Sequence, residues 1–448
     1  MTITYDPQDP AYWDETDLRG EMTRVFDLCH GCRMCFKLCP SFPSLFEMVD
    51  EFDDQDAARM TPAQQDRVVD ECFNCKLCYV ICPYIPGQSE WELDFPRLML
   101  RAEQVRHRNQ KQTVKAKLTT QALGRTDLAG KANTALAPLA NKAIGTPGSA
   151  TRKLMEKTVG IAAERLLPPY TRQRFSTWFT KRRAAGTTVA TAPGAEARTE
   201  TAVLFPTCIV EYQAPEVGHD LVKVCERNGV SCELPEGEVC CGAPWLHAGD
   251  VDRFVEQGRK NVGVLAKALR DGGPDATVVV PQPTCSYVLK KDYVDYIGGP
   301  DAELVAARTQ DAAEYLMGLH KDEETPPLDT EFAGEVPEAI TYHAPCHLRA
   351  QNIGLKSRDL LKLTGTKVAV VSECSGIDGT WGYRQENFEA SRQVAKKMVT
   401  AIDRADNDAV AGDCHLANGA IVQETGKRPS HPVQFLARAY AIPEEGSP

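Results

Sequence analysis

Two cysteine runs decide the fold of this chain: DLCHGCRMCFKLCP at Asp27 to Pro40 and ECFNCKLCYVICP at Glu71 to Pro83. Each run has the spacing Cys, two residues, Cys, two residues, Cys, three residues, Cys, Pro, which is the bacterial ferredoxin arrangement for 4Fe-4S clusters. In this arrangement three thiolates of a run bind one cluster, and the fourth binds the cluster of the other run. The runs therefore predict two clusters, held by Cys29, Cys32, Cys35 with Cys82, and by Cys72, Cys75, Cys78 with Cys39. A structural zinc site is a poor alternative, because it needs four ligands in separated pairs.

The composition is that of a globular chain divided into several units. Its 448 residues suggest two to four domains, and 42% hydrophobic with 25% charged residues is ordinary for a soluble protein. A net charge of -11 argues against nucleic-acid binding as the main task. No run approaches the roughly 18 apolar residues of a membrane span, and the start carries no export signal. We therefore expect a cytoplasmic protein with reduced thiols, with peripheral attachment to the inner face of the cell membrane left open.

The segment from Arg97 to Arg183 is strongly basic. It holds nineteen Lys and Arg against four Asp and Glu, so the rest of the chain carries about -26. Helical patterns cover residues 94–118 and 149–167, and Phe175, Trp178 and Phe179 stand among cations at its end. Such a segment is typical of proteins that bind to an anionic membrane surface. A solvated helical face, or a docking surface for an acidic partner, is an equal alternative.

Strands alternate with helices in the second half of the chain. TAVLFP, SCELP and ATVVVP read as strands of a first lobe, and AITYH, TKVAVV and NDAVAG as strands of a second. This alternation predicts parallel α/β layers, in which ligands gather at the carboxyl ends of the strands. Cysteines follow these strands in the same order in both halves, which indicates a duplication. They are Cys208, Cys240, Cys241 and Cys285 in the first half, and Cys346, Cys374 and Cys414 in the second.

The predicted fold is thus a multidomain α+β chain: a helical two-cluster ferredoxin domain followed by two duplicated parallel-sheet lobes. The predicted divisions are an N-terminal cluster domain at 1–96, a basic helical region at 97–183, a linker at 184–200, lobe 1 at 201–320, a linker at 321–338 and lobe 2 at 339–448. The helical patterns between the two cysteine runs predict spacer helices, the second opened by Thr61 as N-cap and Pro62.

The ferredoxin pair, VCCGAP, PTCSYVLK, YHAPCHL and GTWGY together resemble the heterodisulfide-reductase-related cysteine-rich family, which includes iron–sulfur subunits of glycerol-3-phosphate, glycolate and lactate oxidation systems. The resemblance implies a further iron–sulfur centre in the lobes, between a flavoprotein and a quinone or disulfide acceptor. It assigns that centre to the four cysteines of lobe 1, and a second site to the three of lobe 2.

The second site departs from the family pattern. Ser375 replaces the second cysteine, and Val288 and Ala417 stand where the fuller motif ends in another cysteine. Four thiolates in lobe 1 suffice for a 4Fe-4S centre. For lobe 2 the alternatives are a cluster with Ser375, His347 or His415 as an unusual ligand, a zinc ion held by three cysteines and His347 or His415, or no metal.

The resemblance implies an electron-transfer subunit of an oxidoreductase rather than a stand-alone enzyme. Electrons would pass from a flavoprotein dehydrogenase, of the glycerol-3-phosphate or 2-hydroxy-acid type, to a quinone or similar acceptor. We expect no flavin or nucleotide in this chain, because no glycine-rich phosphate loop lies between a strand and a helix. The alternatives are a heterodisulfide reductase subunit with a catalytic lobe cluster, and an iron–sulfur or zinc scaffold or redox sensor.

Overall fold

The chain folds into a helical N-terminal unit, a helical bridge and two parallel α/β lobes. A computed structural model describes residues 5–110, 112–195, 198–323, 325–377 and 379–442. The lobes contain a four-stranded and a three-stranded sheet, and every strand pair is parallel. The predicted fold class is therefore confirmed.

The N-terminal unit is helical between and after the cysteine runs, as predicted. Its helices are α1 Glu15–Cys32, α2 Ser41–Asp50, α3 Pro62–Asp70, α4 Leu77–Ile81 and α5 Phe95–Arg108, with short 3-10 turns at Pro10–Trp13 and Ala57–Arg59. The start of α3 forms the predicted cap, since the Gln64 amide donates to Thr61 Oγ1 at 3.3 Å and the Gln64 side chain accepts from the Thr61 amide at 2.9 Å.

Helix α5 crosses the boundary that the sequence placed between residues 96 and 97. Leu98 and Met99 are fully buried in the core of the N-terminal unit. Phe95 packs its ring on Phe42 with centroids 4.7 Å apart. The predicted boundary is too early because the basic residues of α5 obscured its apolar face. Since that face packs in the N-terminal core, the N-terminal unit includes α5 and extends to residue 108.

The bridge contains more and shorter helices than the sequence indicated. They are α6 Val114–Gly124, α7 Thr126–Ala135, α8 Ala137–Ile144, α9 Ala150–Val159 and α10 Phe175–Ala184. The helix predicted at 94–118 is interrupted, because Thr113 caps a new helix by accepting from the Ala116 amide at 3.1 Å. The helix predicted at 149–167 ends at Val159, where Gly160 takes a left-handed φ of 68°.

The aromatic residues of α10 do not face a membrane. Phe175, Trp178 and Phe179 are at most 8% exposed. They belong to the core of lobe 1, where the Trp178 ring stacks on His219 with centroids 3.9 Å apart. The membrane alternative for the basic segment is therefore not supported at these three rings, because tertiary packing covers them despite the surrounding cations.

Lobe 1 begins as predicted and carries one additional edge strand. Its elements are β1 Thr201–Leu204, α11 Thr207–Tyr212, α12 Pro215–Arg227, β2 Ser231–Glu233, α13 Ala243–His247, α14 Val251–Asp271, β3 Ala276–Val280, α15 Pro283–Tyr287, a π-helical turn Val288–Asp292, α16 Tyr293–Tyr296, α17 Gly299–Ala307, β4 Thr309–Asp311 and α18 Ala312–Lys321. The strand order is β2-β1-β3-β4.

Lobe 2 repeats this topology without the edge strand. Its elements are β5 Ala339–His343, α19 Cys346–Ala350, α20 Lys356–Leu363, β6 Lys367–Val371, α21 Phe388–Ala405, β7 Ala409–Gly412, α22 His415–Thr425 and α23 Pro432–Ala439, with 3-10 turns at Trp381–Tyr383 and Gln385–Asn387. The order β6-β5-β7 matches β2-β1-β3 of lobe 1 strand for strand. The common order supports the duplication inferred from the cysteine spacing.

Both predicted linkers pack against the end of α12 and make tertiary contacts there. In the first, Ala192 is 4% exposed and its amide donates to the Arg227 carbonyl at 2.7 Å. In the second, Leu328 is 2% exposed and Asp329 pairs with Arg227 at 2.7 Å. Their polar, proline-bearing composition indicated flexibility, but the described parts of both are fixed on lobe 1.

A buried arginine joins the bridge to lobe 2. Arg165 is 2% exposed. It donates from Nε to the Gly382 carbonyl at 2.9 Å and from Nη2 to Ser391 Oγ at 2.7 Å. Its own carbonyl accepts from Arg152 Nη2 at 2.8 Å. The end of α9 is thereby fixed to lobe 2 by polar bonds that are shielded from water.

Candidate metal centres

The first predicted ferredoxin set is assembled at the end of α1 and around α4. Burial of the Cys29 sulfur, followed by the neighbouring thiols Cys35, Cys82 and Cys32, raises the pKa of Cys29 well above the ordinary value. These neighbours are the other three members of the set predicted from the spacing. Thiols crowded in this way favour binding to a metal, which stabilises the thiolate form.

The second set is assembled in the same manner. Burial followed by Cys72 and Cys75 raises the pKa of Cys39, and burial followed by Cys75, Cys72 and Cys39 raises that of Cys78. The Asn74 amide donates to Cys72 Sγ at 3.4 Å, the type of hydrogen bond that raises a cluster's reduction potential. The structure thus brings both interleaved sets together, and their assignment as cluster ligands stays a prediction.

The two runs share a backbone turn. The residue after the second cysteine of each run has a left-handed conformation, with φ of 55° at Arg33 and 63° at Lys76. Lys76 is only 5% exposed and lies over the Tyr287 ring at 4.5 Å, so the second run is held against lobe 1. Repetition of an unfavourable conformation at equivalent positions indicates that each loop is shaped around the same kind of group.

The second ferredoxin set touches lobe 2. A hydrogen bond from the Cys346 thiol lowers the pKa of Cys75 to about 7. Phe73 packs on Trp381 with ring centroids 4.4 Å apart, and Trp381 Nε1 donates to the Asp70 carbonyl at 2.9 Å. The N-terminal unit and lobe 2 therefore meet at their cysteines.

Lobe 1 brings together all four of its predicted ligands. Cys208 and Cys240 have their sulfurs 3.9 Å apart, and Cys241 and Cys285 have theirs 3.1 Å apart. The cysteines follow β1, β2 and β3 at the carboxyl edge of the sheet. Asp127 of α7 accepts from the Cys240 amide at 2.9 Å, so the bridge holds the cysteine pair from the other side.

Lobe 2 places its three cysteines around one small pocket of about 30 Å³. Cys346, Cys374 and Cys414 line it together with Ser375 and other residues. The Gly376 amide donates to Cys374 Sγ at 3.3 Å. Ser375 is 7% exposed and occupies the place that Cys241 has in lobe 1.

A glycine closes each cysteine loop by permitting a conformation that other residues disfavour. Gly242 has φ of 88° in lobe 1, and Gly376 has φ of 71° at the equivalent position in lobe 2. A Cβ at Gly376 would lie 2.1 Å from the Ser391 carbonyl oxygen. Glycine is therefore required at Gly376 by the neighbouring Ser391 backbone and at Gly242 by the Phe254 ring, 2.8 Å from the place that a Cβ would take, in addition to the positive φ of both.

A single metal ion fits these sets less well than a cluster. Within the described ranges, no three His, Cys, Asp or Glu side chains are arranged to hold one ion. Zinc requires its ligands at about 2.0 to 2.3 Å from one point, whereas the thiolates of a cluster bind separate irons. The zinc alternative for Cys346, Cys374 and Cys414 is therefore not supported by their present arrangement.

Of the two histidines proposed from the sequence, His347 lines the pocket of the lobe 2 cysteines and His415 does not. His347 Nε2 donates to the Asn74 carbonyl at 3.1 Å, and Nδ1 accepts from Thr284 Oγ1 at 2.8 Å. Both ring nitrogens are thus used to join the three folded parts. His415 is not among the residues that line the pocket. Binding of a metal by His347 would require one of these two hydrogen bonds to break, and its role as a ligand stays an untested alternative.

Sequence reasoning missed His343, which lines the pocket together with His347. It is 1% exposed, and its Nε2 donates to the Glu373 carbonyl at 3.0 Å. Burial lowers its pKa to about 4, so the ring is neutral. The available signal was the comparison of the two halves, in which Phe205 occupies the equivalent place before Cys208.

A larger apolar cavity of about 340 Å³ adjoins the lobe 1 cysteines. Its lining includes all four of these cysteines. The bridge supplies most of the apolar side chains, among them Leu123, Ala129, Ile144, Met155, Val159 and Ile161. His247 also lines it, and Nε2 of this residue is buried without a hydrogen-bond partner among the described residues. The cavity suits an apolar ligand that carries an acceptor oxygen.

The remaining two cysteines lie away from these sites. Cys225 is fully buried, and Cys232 packs beside it in the core formed by α12 and β2. They behave as small apolar side chains, as the irregular spacing of their sequence positions indicated.

Comparison with known proteins agrees with this arrangement. Residues 21–83 match the 4Fe-4S dicluster domain, and residues 202–290 and 340–417 each match the cysteine-rich domain. The chain is 29% identical to one of the subunits of anaerobic glycerol-3-phosphate dehydrogenase from Escherichia coli strain K12 over 331 residues, which is 73% of this chain and 79% of the relative.

Two further relatives share shorter stretches. One of the subunits of fumarate reductase (CoM/CoB) from Methanothermobacter marburgensis is 29% identical over 47% of this chain and 39% of its own length. Lactate utilization protein A of Geobacillus kaustophilus is 26% identical over 50% of this chain and 92% of its own length. The domains match in the order in which the structure presents the cysteine sets.

Proposed function

From membership of the cysteine-rich iron–sulfur family, with one 4Fe-4S dicluster domain and two cysteine-rich domains, we propose that this chain is the electron-transfer subunit of a dehydrogenase complex. The donor is a flavoprotein that oxidises glycerol 3-phosphate or a 2-hydroxy acid, and the acceptor is a quinone. Two relatives named for glycerol 3-phosphate and lactate metabolism support the donor class. Bound clusters would supply one-electron transfer between these two-electron partners.

The observation that carries the proposal is that the predicted ligand sets follow one another in space, each in contact with the next. The first set adjoins the second through the interleaved runs, and the second touches lobe 2 where Cys75 meets Cys346. His347 of lobe 2 bonds to Thr284, the residue before Cys285 of lobe 1. All three lobe 1 loops then border the apolar cavity. The chain thus holds its cysteines in one contiguous series from the N-terminal unit to the cavity.

An exposed apolar surface marks the end of this series at which the donor would dock. Met34 and Phe36 lie between the cysteines of the first run and are 58% and 50% exposed. Ile81, next to Cys82, is 42% exposed, as is Trp91. Exposed apolar groups of this size beside a predicted ligand set are typical of a protein interface. We assign this surface to the flavoprotein.

The apolar cavity supplies the opposite end. A quinone ring is largely apolar and carries carbonyl oxygens that accept hydrogen bonds, which matches the apolar lining and His247 Nε2, an atom without a partner in the part of the chain that the structure describes. The volume of about 340 Å³ is within the range of small-ligand pockets. We therefore place the quinone site between the bridge and lobe 1.

Filling the cavity is expected to slow quinone reduction at least tenfold. Ala129 lines the cavity from α7, so Ala129→Phe would occupy space that the quinone ring needs. The measurement is stopped-flow reoxidation by menadione of the anaerobic, dithionite-reduced chain. Ala132→Phe places the same ring at an exposed position of the same helix and is the matched control. Equal reoxidation rates in the two variants would contradict the location.

The bridge also has the features of a membrane-contacting surface. Its helices α6 to α9 and the turns between them carry six exposed large apolar side chains, which we call the apolar face: Val114, Leu118, Leu128, Leu136, Leu139 and Leu154. Seven exposed cations lie on the same helices and turns: Lys115, Lys117, Arg125, Lys131, Lys142, Lys153 and Lys157. None of the described helices is sufficiently long and apolar to cross a bilayer. The combination supports shallow binding to an anionic bilayer, from which a lipophilic quinone would reach the cavity.

Charged substitutions in the apolar face are expected to release the chain from membranes. Leu128 is 63% and Leu139 is 68% exposed, and burial of two leucines contributes about 3 kcal/mol, so Leu128→Glu with Leu139→Glu should weaken binding roughly 100-fold. Flotation with phosphatidylglycerol liposomes measures the binding. Met34→Glu, at an apolar side chain of comparable exposure outside the bridge, should float like the unmodified chain. Unchanged flotation of the double variant would instead assign the bridge to a protein partner.

A further inference from the structure

The two ferredoxin runs place a cation in equivalent positions but in different surroundings. Arg33 follows the second cysteine of the first run, and Lys76 follows that of the second. The Arg33 guanidinium lies on the surface and pairs with Asp50, and the two side chains are 45% and 39% exposed. Water and salt screen an ion pair of this kind. The charge of Arg33 therefore acts only weakly on the first ligand set.

Lys76, in contrast, is enclosed where the N-terminal unit meets both lobes. Its side chain is 6% exposed, and its Nζ lies 3.9 Å from Asp292 Oδ2 and 4.5 Å from the centroid of the Tyr287 ring, both in lobe 1. A carboxylate and an aromatic face are partners that favour a cation. Burial, followed by the charge of Lys76, lowers the pKa of His347 in lobe 2 to about 3. One buried cation thus acts on all three parts of the chain.

The charge of Lys76 is only partly neutralised. Asp292 is its nearest carboxylate, and Asp292 Oδ2 makes no hydrogen bond among the described residues. Two further carboxylates of this junction, Asp94 and Asp295, pair with Arg97 instead. The ammonium therefore keeps an electrostatic effect on its surroundings, and burial keeps solvent from screening it.

This effect reaches the second ligand set. Lys76 stands between Cys75 and Cys78, two predicted ligands of one cluster. A hydrogen bond from the Cys346 thiol lowers the pKa of Cys75 to about 7, and the charge of Lys76 acts on the same sulfur in the same direction. A cation that favours a thiolate also favours an added electron on a cluster, because both add negative charge at the same place.

We propose that the buried charge of Lys76 sets the reduction potential of the second ferredoxin-type centre above that of the first. An electron that enters at the exposed first run is then held at the junction with the lobes. The step concerned is the transfer of one electron from the first centre to the second, in which no bond forms or breaks and no proton moves. The inference rests on the proposed binding of clusters by the two runs and is independent of the donor and the quinone.

Separate substitution of the two ion-pair partners tests the inference, because their charges have opposite signs. Lys76→Met should lower the midpoint potential of one ferredoxin-type centre by about 59 mV or more, which is a tenfold change in the equilibrium constant for one-electron reduction. Asp292→Asn should raise the midpoint of the same centre. In the unmodified chain this centre should have the higher midpoint of the two. The measurement is anaerobic potentiometric titration of the full chain, with both signals followed by EPR.

Arg33→Met is the matched control, because it removes a cation from the equivalent position of the first run. It should shift each midpoint by less than about threefold in the equilibrium constant, since Arg33 is exposed. Near-ultraviolet circular dichroism establishes that each variant is folded. Loosening of the junction alone would not explain shifts of opposite sign in Lys76→Met and Asp292→Asn.

Four results would overturn the inference and leave the proposed function intact. They are unchanged midpoints in Lys76→Met, shifts of the same sign in Lys76→Met and Asp292→Asn, an equal or larger shift in Arg33→Met, and a response confined to the centre of lower midpoint. Absence of both ferredoxin-type signals after anaerobic reconstitution would overturn the proposed function and this inference with it. Failure of the one is therefore distinguishable from failure of the other.

Discussion

Replacing Cys240 with alanine is expected to remove the lobe 1 centre while both ferredoxin-type centres remain. Cys240 lies 3.9 Å from Cys208 and is held by Asp127 through its amide, so no other thiol can take its place without moving the loop. Loss of one thiolate from a four-thiolate set should cost about four irons per chain. Iron and sulfide analysis with EPR of the anaerobically purified chain measures the loss. Quinone reduction should fall to background, since the cavity would no longer border a redox centre.

The chain contains its own control for this substitution. Cys225 is also a fully buried cysteine of lobe 1, but it packs with Cys232 in the apolar core. Cys225→Ala removes a similar volume and should retain all iron, with a loss of stability on the order of 1 kcal/mol. If Cys240→Ala retained its full iron content and spectrum, the predicted ligand set of lobe 1 would be wrong.

The sequence was sufficient for those parts of the fold that depend on local spacing. The cysteine runs predicted both ferredoxin sets, because their short gaps bring the thiols together in almost any folded loop. Strands of the lobes were recognisable as apolar runs, and the cysteines that follow them meet because parallel strands share one carboxyl edge. The N-cap at Thr61 was likewise a local signal and is present.

Features that arise from contacts distant in sequence were not predictable in this way. The cations next to Phe175 and Trp178 in the sequence indicated that these rings lie on the surface, yet both are buried in lobe 1. The cavity needs α7 and α9 to pack over cysteines that lie about a hundred residues later. His343 has no motif of its own, and only the tertiary structure places it in the pocket of the lobe 2 cysteines. In each case a contact with residues distant in sequence determines the role of the side chain.

Substitution of Arg165 by methionine is expected to produce the largest loss of stability among single changes in the bridge. The guanidinium is buried and donates to Gly382, Ser391 and, at 3.3 Å, to Gln423 Oε1. It also lies over the Phe388 ring at 4.7 Å. Methionine keeps the apolar contact but removes the donor to the Gly382 carbonyl and to Ser391 Oγ, while Gln423 Oε1 keeps the bond from the Leu166 amide at 3.0 Å. Hydrogen bonds to a charged group contribute about 1.5 to 3 kcal/mol each, so a loss of about 3 kcal/mol or more is expected.

Arg392 provides a matched comparison, because it lies over the same Phe388 ring at 5.9 Å but its side chain is 46% exposed. It pairs with Glu424 at 3.0 Å on the surface, where such pairs contribute about 0 to 1 kcal/mol. Urea unfolding followed by circular dichroism should therefore shift far more for Arg165→Met than for Arg392→Met. Because Arg165 fixes the end of α9, its loss should also expose residues 160–174 to limited proteolysis and weaken closure of the cavity. Equal shifts for the two variants would show that the bridge is held by its apolar contacts instead, and the cavity would then not depend on this arginine.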